Sequence, residues 1–83
     1  MSCNPLIGDE GARALARSLP DTLRELGLVG CGIKDTGGEA ILRWAYKSSR
    51  LRMICIEQNP FSERLKAQSR QLAQKNENLL VIV

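Results

Sequence analysis

Residues 23–33 read Leu-Arg-Glu-Leu-Gly-Leu-Val-Gly-Cys-Gly-Ile, and residues 51–61 read Leu-Arg-Met-Ile-Cys-Ile-Glu-Gln-Asn-Pro-Phe. Laid over one another at a displacement of 28, the two stretches put aliphatic residues at 23/51, 26/54 and 28/56 and a Cys or Asn at 31/59. A further step of 28 lands on Leu79 and Ile82, and Asn4-Pro5-Leu6 has the form of Cys31-Gly32-Ile33 at a displacement of 27. Self-similarity at such a period is the mark of stacked units, each too thin to bury its apolar side alone.

The spacing inside one unit dictates local structure. Alternation at Leu26 and Leu28, and again at Ile54 and Ile56, turns those side chains to one side of a short strand, and successive strands are expected to lie parallel in a sheet. A bend follows, where Asn4, Cys31 and Asn59 can hydrogen-bond backbone of the neighbouring turn. The chain then returns through a helix: Ala12, Leu15, Ala16 and Leu19 fall at i, i+3, i+4 and i+7, and Gly38, Ile41, Leu42 and Ala45 repeat the set. Small residues at 12 and 38 are expected to let these helices approach the sheet closely, and Asp9 and Asp35 to cap amides where the helices begin. The third unit keeps Leu65, Leu72 and Ala73 but carries Ser69 and Arg70 where Ile41 and Leu42 stand, as a helix whose outer side has no neighbour would; Ser62 is its expected N-cap.

The pattern L-x-x-L-x-L-x-x-N/C-x-L resembles the leucine-rich-repeat family over nearly the whole chain. The segments Ile7 to Ala12 and Ile33 to Gly38, with the period of about 28, resemble its ribonuclease-inhibitor-like subtype. That resemblance implies an α/β solenoid of about three repeats, with short parallel strands on the concave side and helices on the convex side. One domain over 1–83 is expected, divided into a partial repeat 1–22, a repeat 23–50, a degenerate C-terminal repeat 51–78 and a final strand 79–83. Met1 aligns with Leu28, so the first strand of the pattern is missing. The expectation is a C-terminal fragment of a longer solenoid whose open N-terminal layer frays or self-associates.

Composition narrows the chemistry. The net charge is +3, no stretch is apolar enough for a membrane span, and the first residues lack a secretory pattern, which points to a cytoplasmic protein without membrane contact. Three cysteines at spacings of 28 and 24 build no disulfide framework. Histidine is absent, so Ser-His and Cys-His nucleophile pairs cannot form and a zinc site would need three distant thiolates. No enzyme, cofactor or metal is expected. Asp35-Thr36-Gly37 copies an aspartic-protease tripeptide but aligns with Asp9-Glu10-Gly11, a helix-start turn. Gly30-Cys31-Gly32 with Lys34 fits neither phosphate-loop pattern.

The remaining candidate site is the outward side of the sheet. Exposed positions counted from the strand spacing are Arg24, Glu25, Gly27 and Val29 in one unit and Arg52, Met53, Cys55 and Glu57 in the next. Of these, Arg24, Glu25, Val29, Arg52, Met53 and Glu57 are the candidate partner-binding residues. The family resemblance implies that this concave face holds another protein. A second reading is a structural end cap, or self-association through the open layer or the apolar tail Leu79 to Val83. A third is nucleic-acid binding through Arg43, Lys47, Arg50 and Arg52, against which stands the simpler reading of cations on a solvated helix end.

Overall fold

The computed structural model describes residues 7–83. Helices and strands alternate: α1 (Gly8–Ser18), β1 (Glu25–Gly27), α2 (Asp35–Lys47), β2 (Met53–Cys55), α3 (Glu63–Lys75) and β3 (Leu80–Ile82). The strands form one parallel sheet in the order β1-β2-β3. Each helix opens on acidic residues, Asp9 and Glu10, Asp35 or Glu63, and closes on a basic one, Arg17, Lys47 or Lys75. Both choices oppose the partial charges of the helix ends. The alternation agrees with the α/β repeat expected from the spacing. Cys3 and Asn4, at the start of the partial first repeat, lie outside the described residues.

Leu26, Leu28, Ile54 and Ile56 are all buried, with Ile33, Ile41, Ala45, Leu51 and Leu65 around them, so the leucine spacing does define the core side of the sheet. Each such aliphatic contributes roughly 1.5–3 kcal/mol through removal from water, before chain entropy is counted. The ladder runs past the strand ends: Leu28 N donates to Cys55 O at 2.8 Å, and Gly30 N to Glu57 O at 3.0 Å. Gly30 adopts φ 64° to make this turn, and Gln58, its counterpart 28 residues on, is forced into φ 61°.

One expected alignment fails. Glu25, Leu26 and Gly27 pair with Met53, Ile54 and Cys55 at the displacement of 28, but Met53, Ile54 and Cys55 pair with Leu80, Val81 and Ile82 at 27. Ile82 therefore stands beside Cys55 and not beside Ile54. The lost residue comes from the link between helix and strand: α2 and α3 start 28 apart, but α3 ends five residues before β3 whereas α2 ends six before β2. A tight turn, Leu79 N to Asn76 O at 3.0 Å, shortens the path while keeping Leu79 buried.

Asn59 is a buried knot between two repeats. Its Oδ1 accepts from Cys31 N at 3.0 Å and Ile33 N at 3.1 Å, and its Nδ2 donates to Leu28 O at 2.8 Å, Ile56 O at 2.9 Å and Glu57 O at 3.2 Å. Cys31, its counterpart, points its thiol to Val29 O of its own turn at 3.7 Å.

The helix starts are arranged differently from the local capping that the sequence suggests. Asp9 does not cap α1; its Oδ1 accepts from Lys34 N at 2.8 Å and Gly37 N at 2.9 Å, at the start of α2. Asp35 in turn accepts from Ser62 N at 2.9 Å and from the Ser62 hydroxyl, whose oxygen caps Leu65 N of α3. A Cβ on Gly37 would meet Ala12 Cβ at 2.9 Å, and one on Gly38 would meet Phe61 Cε1 at 2.7 Å and overlap Leu65 Cδ2. The glycine pair thus makes room for the repeats on either side, not for approach to the sheet. Ser69 is fully buried, its hydroxyl donating to Leu65 O at 2.9 Å, so it occupies a core position and not the outer side expected of it.

Candidate protein-binding face

Pleating turns Glu25 and Gly27, Met53 and Cys55, Leu80 and Ile82 away from the core, because Leu26, Ile54 and Val81 between them pack against it. Register sets these side chains in two rows across the sheet. Glu25, Met53 and Leu80 form one, Gly27, Cys55 and Ile82 the other. Leu80 keeps 56% of its surface in water, a large apolar side chain left uncovered on the outermost strand.

The six residues singled out from the sequence take three places. Glu25 and Met53 face each other as a directly paired couple on β1 and β2. Arg24 and Arg52 stand exposed one residue before these strands, where Arg24 O accepts from both Arg52 N at 2.7 Å and Met53 N at 3.1 Å. Val29, half-buried, and Glu57, exposed, follow the opposite strand ends. Glu57 Oε1 accepts from the Cys55 thiol at 3.7 Å, which ties that carboxylate to the sheet face. The surface thus has cations at the strand starts, the Glu57 carboxylate at a strand end, and between them the Glu25 carboxylate beside apolar Met53, Leu80 and Ile82. Leu80 and Ile82 belong to this surface and are absent from the sequence-based set; the displacement of 27 in the last strand pair is what brings them there.

The basic residues suspected at the end of the second helix are all exposed. Arg43 and Lys47 line a depression between α1 and α2, while Arg50 and Arg52 lie beyond the helix. Among the described residues, no group of three or more His, Cys, Asp or Glu could hold a metal ion, and no helix is long and apolar enough to cross a membrane. Asp35 has its carboxyl held below the usual carboxylate range by the Ser62 hydroxyl and then by the Ser62 amide, with partial burial opposing and Arg64 adding to the effect. This is capping chemistry at the start of α3.

Comparison with known proteins agrees with the repeat geometry. The family described as Leucine Rich repeat matches residues 1–16 and 21–42. The centrosomal protein of 78 kDa of Mus musculus is 40% identical over 62 residues, covering 72% of this chain and 8% of that protein. Its Homo sapiens counterpart is 40% identical over the same length, covering 72% and 9%, and the Xenopus tropicalis protein 35% over 66 residues, covering 77% and 9%. The chain spans less than a tenth of the length of these relatives.

Proposed function

We propose that the chain, matched over residues 1–16 and 21–42 by the leucine-rich-repeat family, is a leucine-rich-repeat protein and a non-catalytic protein-interaction module which holds a partner on the outward face of its sheet. The repeats are of the ribonuclease-inhibitor-like kind, stacked as a short solenoid with that face concave. The observation that carries this reading is the pair of rows Glu25, Met53, Leu80 and Gly27, Cys55, Ile82, turned away from the core with Glu25 and Leu80 exposed and the others half-buried. Recognition there is by shape and charge: Met53, Leu80 and Ile82 supply apolar contact, Arg24 and Arg52 seek carboxylates, and Glu25 and Glu57 seek cations. Three short strands offer less than the roughly 800 Å² per partner of a standard interface. Affinity from this face alone is therefore modest, and flanking loops or further repeats extend it. By likeness to the centrosomal relatives, the place of action is the cytoplasm or the centrosome.

A photo-crosslinking amino acid at Met53, compared with one at Gln71 on the helix side, tests the assignment. Discrete protein adducts should form from position 53 in cells and disappear with Arg24→Glu plus Arg52→Glu, while circular dichroism stays unchanged. Adducts confined to position 71 would put the working surface on the helices.

Exposure of Leu80 on the last strand favours a second reading, in which two copies associate through that edge. Light scattering across a concentration series separates the two. A mass that rises towards a dimer and returns to the monomer with Leu80→Asp supports self-association, and a monomer at all concentrations removes it.

A further inference from the structure

On the helix side, α1 and α2 lie side by side over a depression of about 320 Å³. Its floor is Ala16 and Ala40, small enough to leave it open. Arg13 and Arg17 line it from α1, Arg43 and Lys47 from α2, and Trp44 completes it. Each cation pair is spaced i, i+4, so each helix carries like charges on neighbouring turns, an arrangement that costs a few tenths of a kcal/mol per pair. No carboxylate lines the depression. The seam between α2 and α3 is built in the opposite sense: Arg64 crosses it to Glu39 at 3.1 Å and approaches Asp35 at 3.8 Å. Among the described residues the ion pairs involve Arg64 and Lys66, and none involves the four cations of the α1/α2 seam.

Four converging cations over a small-residue floor fit a run of carboxylates. We propose that the α1/α2 seam is a docking site for an acidic protein segment, whose side chains bridge Arg13 and Arg17 on one bank and Arg43 and Lys47 on the other. Its dimensions disfavour a nucleic acid. The basic rows extend only one helical turn, and one indole provides a single stacking surface where strand binding uses successive ones. The site is independent of the sheet face, so either can fail without the other.

Trp44 is the chain's one tryptophan and lines the site, so its fluorescence reports occupancy directly. An unlabelled heptaglutamate peptide titrated into the full chain at low salt should change Trp44 emission. Arg17→Gln with Lys47→Gln should weaken that binding about tenfold or more, while Arg50→Gln with Arg70→Gln, exposed cations that do not line the seam, should change it less than about twofold. Relief of the like-charge pairs and loss of the cations that close α1 and α2 oppose one another, so thermal stability of the first variant should change little. Three results would overturn the proposal: binding of a fluorescein-labelled heptaglutamate, read by anisotropy, that the unlabelled peptide competes away without changing Trp44 emission; equal weakening by both variant pairs; or tighter binding of a 15-mer oligothymidylate than of the peptide through the same four residues.

Discussion

The Asp35 carboxylate, on the first residue of α2, accepts both the amide and the hydroxyl of Ser62, the residue that caps α3. Because these bonds favour the ionised form, the folded chain holds this carboxyl below its ordinary value of 3.8. The unfolded chain then binds the proton more readily, so the stabilisation is present above the unfolded value and is lost as pH falls through the folded one. Asp35→Asn should lower the melting temperature at pH 6. The gap to the parent chain should narrow as pH is taken below about 3.8. A gap that stays constant with pH would mean that the ionised form is not what Ser62 recognises.

Asn59 satisfies five backbone groups from a position only 8% exposed. Its replacement by Ala strands several of them away from water, at about 1–3 kcal/mol for each buried group left unpaired. Total stability for a chain of this size is only about 0.05–0.15 kcal/mol per residue. Asn59→Ala should therefore abolish cooperative urea unfolding at 25 °C, and a well-formed sigmoidal transition would contradict the knot described above.

Gly38 has Phe61 and Leu65 against the space where a side chain would sit. Gly38→Ala should cost about 1–3 kcal/mol by overpacking, although alanine is the better helix former. Calorimetry of Gly38→Ala beside Phe61→Leu and the double variant checks this. The second change should recover part of the loss by opening room, and strict additivity would show that the two residues are not in conflict.

Gln58 holds a left-handed backbone that the preceding repeat gives to Gly30. A residue with a Cβ is about 1–2 kcal/mol worse than glycine in that region, against roughly 0.5–1 kcal/mol of extra chain entropy for glycine. Gln58→Gly should raise stability by up to about 1 kcal/mol in denaturant melts. A loss would mean that the glutamine side chain contributes more than its backbone costs.

The inward residues were legible because strand alternation and core burial are the same fact: Leu26, Leu28, Ile54 and Ile56 are the apolar member of each alternating pair. Leu79 to Val83 offered no such contrast. An unbroken apolar run has no period, so nothing in it says which side chain faces out, and only backbone pairing sets Ile82 beside Cys55. The reach of Asp9 to Lys34 and Gly37 was hidden for another reason. Capping rules read neighbours along the chain, whereas this carboxylate serves amides 25 and 28 residues away. Ser69 misled because its hydroxyl closes on its own helix, which lets a polar residue sit in a fully dry place.

The two kinds of cross-repeat bond run in opposite directions. Asp9 and Asp35 reach forward to the following helix, and Asn59 reaches back to the preceding turn. Each repeat is therefore both donor and recipient of its neighbour's order, and neither can come apart while the other stays whole. The smallest piece of this chain that can melt on its own is a couple of adjoining repeats, which makes the single 28-residue motif a unit of sequence and not a unit of thermodynamics.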